Sequence, residues 1–180
     1  EVAVEGVVVG DFQDDDGDLF DTDLDGFHIQ DPAGDGDPTT SDGIFIYTPA
    51  GIDVAVGDAV RVRGAVSEYD GMTEITASQI WVCGIGVLPD AVEISLPVTT
   101  VDDFEPYEGM LVTFPQALFI SEYFDFDRFG EIVLTADRQY QPTAVYEPGS
   151  PEAMNLMQAN LLGRITLDDG RTVQNPDPAI

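Results

Sequence analysis

The segment Val56-Gly-Asp-Ala-Val-Arg-Val-Arg-Gly-Ala-Val66 constrains the fold more than any other part of the chain. Its alternation puts Val60, Val62 and Val66 on one face and Arg61 and Arg63 on the other, the period of a half-buried strand. Gly64 interrupts the pattern where a small barrel needs a bulge or a sharp bend. Tyr69-Asp-Gly71 then signals a hairpin that returns through Met72 to Ile75. Further strand-like runs cover residues 1–9, 27–30, 43–47 and 79–82, and later 110–114, 117–122 and 131–135. Short strands divided by Gly and Asp turns predict an all-β barrel or sandwich, not βαβ units.

One segment reads as a helix. Ser150 can cap it, Pro151 takes its first position, Glu152 complements the dipole, and Gly163 ends it. Met154, Met157, Leu161 and Leu162 share one face of that helix and are expected to pack in the core.

Charge narrows the function classes. The 180 residues carry 35 Asp and Glu against 6 bases, all of them Arg, for a net charge of −29. Nucleic-acid affinity comes largely from Lys and Arg on phosphate, so a self-sufficient DNA or RNA binder is not expected. With 43% hydrophobic residues the chain can still bury a core and is no disordered acidic tail. Many short carboxylates without Lys suit a protein working in high salt or seawater, where self-repulsion is screened. No apolar run is long enough to cross a bilayer as a helix, and no membrane partner is expected. The chain begins directly on a strand-like run, as expected of a module cut from a longer protein or of one whose leader has been removed. Cys83 lies among Trp81, Val82 and Ile85 and reads as a buried small apolar residue.

The sharpest motif is Asp21-Thr-Asp-Leu-Asp-Gly26, the first half of a calcium loop. The twelfth position is Pro32 where a bidentate Glu belongs, and no flanking helices are predicted. Asp14, Asp16 and Asp18 form a second alternating set upstream of Asp21, Asp23 and Asp25. Together these six carboxylates are the candidate Ca²⁺ ligands, and the competing reading is a solvated acidic loop. His28, the single histidine, reads as a surface or turn residue. Arg61 and Arg63, with Tyr69 and either Phe45 or Tyr47, are the residue types of a single-strand stacking platform. Against that, the abundance of acids favours pairing each Arg with a carboxylate on the barrel wall. Arg128 and Phe129 form a second Arg–aromatic cluster. No phosphate loop, paired-cysteine metal site or nucleophile elbow is present.

Several strings in order carry a wider resemblance: residues 4–13, Gly26-Phe-His-Ile-Gln-Asp-Pro32, residues 35–47, residues 56–69 and Tyr107-Glu-Gly-Met-Leu-Val-Thr-Phe114. Arg128-Phe-Gly-Glu-Ile-Val-Leu134, Gln141-Pro-Thr143 and Ile165-Thr-Leu-Asp-Asp-Gly170 with Asn175-Pro-Asp-Pro178 complete the set. Together they resemble the OB-fold-like region of large secreted nucleases of the ExeM/NucH type. The resemblance implies an OB-fold-like barrel over residues 1–88, with an irregular β-rich extension over 89–180 packed on it as one unit. It also implies a secreted, extracellular accessory module beside a catalytic domain of the endonuclease/exonuclease/phosphatase class in the same polypeptide. That domain would hold the Mg²⁺ and the catalytic histidines, so no catalytic residue is expected here and any DNA contact should be weak. His28 stands where the resemblance leads one to expect an aromatic residue. A calcium-stabilised structural or adhesive module without nucleic-acid affinity is the alternative.

Overall fold

The computed structural model describes residues 1–13 and 24–175. Five strands close into a barrel: β1 (Val2–Phe12), β2 (Gly26–Gln30), β3 (Gly43–Tyr47), β4 (Asp58–Tyr69) and β5 (Met72–Ile85). The order around it is β1-β2-β3-β5-β4, and β4 returns to β1. All neighbours are antiparallel except β3 and β5. This is the OB-fold-like all-β barrel that the sequence predicts.

The alternation in β4 does what its sequence requires. Val60 and Val62 point inward and join Val8, Phe27, Ile29, Ile46, Val54 and Ile75 in the core. Arg61 and Arg63 point out. Val66, expected on the buried face, is exposed, because β4 runs on beyond Gly64 toward the hairpin tip. At that tip Asp70 and Gly71 have φ of 49° and 87°, the paired left-handed conformation of a tight two-residue turn.

Cys83 is exposed, contrary to expectation. Strand β5 continues past its pairing with β3, which ends at Thr76, and residues 81–85 are all exposed. In that stretch Cys83 is the extra residue of a bulge, between the pairs Val60–Val82 and Ala59–Gly84. A second bulge leaves Ser78 out of the ladder, and its Oγ donates to Arg63 O on β4 at 3.0 Å. Bulges of this kind blunt an open sheet edge and keep it from pairing with other chains.

The chain divides into two compact units, residues 1–92 with 104–113, and residues 93–103 with 114–175 of the described chain. Segment 104–113, placed in the extension by sequence, thus clusters with the barrel. Polar contacts hold it there: Leu111 N–H donates to Gln30 Oε1 at 3.0 Å, and Thr73 N–H donates to Glu108 Oε1 at 2.7 Å. The Gln30 side chain is buried, so its amide has to find such a partner. Short strands β6 (Val92–Glu93) and β7 (Val112–Thr113) pair with each other, and a 3₁₀ turn spans Val101–Tyr107.

The second unit carries a three-stranded antiparallel sheet of β8 (Phe119–Glu122), β9 (Ile132–Thr135) and β10 (Arg164–Leu167). It also holds α1 (Phe126–Phe129), α2 (Pro142–Val145) and α3 (Pro151–Leu162). The expected helix is α3, and Ser150 Oγ accepts from Ala153 N–H at its start. Of its expected core face only Leu162 is even half-buried: Met154 and Met157 are 59% and 60% exposed, and Leu161 is exposed too. The inward side instead carries Ala153, Leu156 and Asn160. Asn160 fixes this rotation, since its Nδ2 donates to Tyr140 O and its carbonyl accepts from Gln139 Nε2.

Candidate functional site

The outward wall of the barrel is where the sequence places its cationic candidates. Glu5, Arg61 and Trp81 lie in one row across β1, β4 and β5, because Arg61 is the direct neighbour of both in the two ladders. Arg61 Nε lies 3.5 Å from a Glu5 carboxylate oxygen, and Arg63 Nη2 lies 2.7 Å from one of Glu1. Both pairs are well exposed, so each contributes at most about 1 kcal/mol. The two guanidiniums are therefore already matched by carboxylates on the same wall.

The aromatic partners are not brought to them. Tyr69 sits near the hairpin tip, eight residues and roughly 26 Å along β4 from Arg61. Phe45 is buried and Tyr47 half-buried on β3, which does not adjoin β4. Arg128 and Phe129 do meet, with the guanidinium 4.8 Å from the ring centroid, but they belong to the other unit. There Arg128 also donates to Gln174 Oε1, and its carbonyl accepts from Asn175 N–H. Trp81 is the aromatic residue beside Arg61 that sequence reasoning passed over. Register alone reveals it, since it depends on how many residues the β5 bulges absorb.

Of the proposed calcium ligands, Asp14, Asp16, Asp18, Asp21 and Asp23 lie outside the described residues. Asp25 lies within them. It has φ of 57°, and its carbonyl accepts from Thr48 N–H at 2.7 Å, which ties the residue before β2 to the end of β3.

His28 belongs to a cluster that the sequence hides. It sits on the outer side of β2, paired with Gly10 on β1 and Phe45 on β3. Its ring lies 4.9 Å from Phe45 and 5.8 Å from Phe12, edge-on to the latter. Gly10 leaves room for this, as a Cβ there would come within 3.0 Å of the Phe12 ring. Among the described residues His28 Nδ1 is buried without a hydrogen-bond partner. Burial among apolar rings disfavours the charged form and holds the His28 pKa below its ordinary value of about 6.5. A histidine with a depressed native pKa binds fewer protons folded than unfolded. Its contribution to stability is therefore complete above the unfolded pKa of about 6.5 and is lost as pH falls toward the native value. The expected result is a melting temperature that drops from pH 7.5 to pH 5 more steeply in wild type than in His28→Phe. Parallel curves for the two proteins in thermal melts at high salt would refute the assignment.

Against family models, characterised proteins and solved structures, the chain has no match.

Proposed function

We propose that the chain is a non-catalytic accessory module of a secreted, extracellular DNase. Its partner is a nuclease catalytic domain of the same polypeptide, and Mg²⁺ chemistry belongs to that domain. One observation supports this reading most. The strings that resemble the secreted nucleases, residues 4–13, 26–32, 35–47 and 56–69, contain most of β1 and all of β2, β3 and β4 of a barrel closed in the order β1-β2-β3-β5-β4. The module steadies or positions its neighbour more than it grips DNA, since net charge −29 repels phosphate. Reading the gene on either side tests it directly. An endonuclease/exonuclease/phosphatase domain in the same open reading frame is expected, and its absence overturns the proposal. Turnover of DNA by residues 1–180 alone with Mg²⁺ would equally overturn the non-catalytic role.

DNA contact in this reading is weak and centred on Arg61 and Arg63. In low salt, fluorescence anisotropy with single-stranded DNA should give a Kd no tighter than about 10⁻⁴ M. Arg61→Ala with Arg63→Ala should abolish that binding while changing stability by less than about 1 kcal/mol per pair. Binding unchanged in the double variant removes both residues from the contact. Ca²⁺ ordering the loop from Asp14 to Asp25 belongs to the same proposal. A rise in melting temperature with Ca²⁺ is expected, abolished by Asp23→Asn with Asp25→Asn. A calcium shift without any DNA affinity would favour the structural or adhesive alternative.

A further inference from the structure

Helix α3 and the sheet β8-β9-β10 do not close on each other as a helix on a sheet usually does. Between them lies a cleft of about 690 Å³, within the range of small-molecule sites. Met157 and Leu161, whose spacing predicts core residues, line it instead. Tyr140 and Pro142 extend that apolar wall.

The polar groups of the cleft have spare capacity. Arg164 projects from β10, and among the described residues its guanidinium makes neither an ion pair nor a hydrogen bond. Arg128 and Arg138 likewise face no carboxylate among the described residues, but of the six Arg only Arg164 lines the cleft. The carboxylate of Glu122 and the carboxamide of Gln158, which also line the cleft, have no hydrogen-bond partner among the described residues either. Arg138 stands over the Tyr140 ring at 5.5 Å from its centroid and brings a second cation to this end of the unit.

An apolar wall with one aromatic ring, an unmatched guanidinium, a carboxylate and a free carboxamide make a specific combination. The guanidinium suits a phosphate or carboxylate, which it can hold with two parallel hydrogen bonds. The carboxylate accepts from hydroxyl or ring N–H groups, and the carboxamide both donates and accepts. Tyr140, Met157 and Leu161 offer a surface for the face of a ring. The geometry points to a binding site in this cleft for a hydroxylated ring compound carrying one anionic group. A nucleoside monophosphate and a hexuronate share that chemistry. The site is independent of the barrel and of the proposed role beside a nuclease.

The four methionines make the test direct, because only Met157 lines the cleft and Met72 and Met110 belong to the other unit. In methyl NMR of the whole chain, titration with a nucleoside monophosphate or with glucuronate should move the Met157 signal and leave Met72 and Met110 in place. Whichever anion binds identifies the source of the ligand. The matching neutral nucleoside or glucose should bind at least about tenfold more weakly, and so should the anion to Arg164→Gln. Arg164 is exposed at the first position of β10, so the variant should fold, and Arg128→Gln serves as a charge control with unchanged affinity. No Met157 shift with either anion up to about 10 mM, or equal affinity in Arg164→Gln, overturns the proposal.

Discussion

Phe27→Ala is expected to cost the barrel about 3–5 kcal/mol. Phe27 is 0% exposed and lies at the centre of the core formed by Val8, Ile29, Ile46, Val60, Val62 and Ile75. Strand β2 is only five residues long and pairs on both sides, so it cannot move inward to fill the space. The cost is therefore lost transfer energy plus most of a cavity. For a unit of about 100 residues this corresponds to a fall in melting temperature of roughly 12 °C or more, readable by calorimetry. Phe119→Ala provides the comparison, because Phe119 on β8 is 52% exposed and belongs to the other unit. It should change stability by less than about 1 kcal/mol. Equal losses for the two variants would mean that Phe27 is not at the core of the barrel.

Gly64→Ala should be about as damaging, for the opposite reason. A Cβ at Gly64 would sit 2.2 Å from Thr76 O and 2.5 Å from Ile75 Cγ2. The first contact is with backbone, which no rotamer change can relieve. Gly64 also stands where the register between β4 and β5 shifts, as Arg63 faces Gln79 and Gly64 faces Ala77. The added methyl has to push these strands apart at that register shift. A loss of about 3 kcal/mol is expected, at the upper end for overpacking. Chemical denaturation would measure it, and a variant as stable as wild type would show that the strands part there without cost.

How much of this was legible beforehand depended on the range of the signal. The alternation of Val60, Val62 and the two arginines, the turn at Asp70-Gly71 and the helix from Pro151 are local patterns, and each is found in place. Cys83 and the Met154–Met157–Leu161 stripe misled because their local pattern was sound and their surroundings were not. An apolar residue is buried only if another element arrives to cover it. Strand β5 outruns its partner β3 at Cys83. At α3 the hydrogen bonds of Asn160 turn a different side inward.

The candidate site divides along the same line. Composition predicts that Arg61 and Arg63 find carboxylates; the ladder sets Glu5 beside Arg61, and Glu1, just before β1, reaches Arg63. Tyr69, Phe45 and Tyr47 could be assigned to that site only by neglecting strand order, which places them at the hairpin tip or on a strand that does not adjoin β4. By its sequence His28 reads as a surface or turn residue, whereas it is half-buried within β2. Only the pairing of β2 with β1 and β3 shows why, by setting it against Phe12 and Phe45.

By itself, then, the sequence determined the all-β class, the bend at Gly64, the helix from Pro151 and an acidic surface whose few cations are scarce enough to matter. These follow from period, turn chemistry and charge count, which act over a few residues or over the whole chain. Tertiary structure alone decided the order of strands around the barrel, the two bulges of β5, the aromatic cage of His28 and the open cleft at Arg164. Each of those depends on which distant segments meet and in what register, and a shift of one residue exchanges the inner and outer faces of a strand.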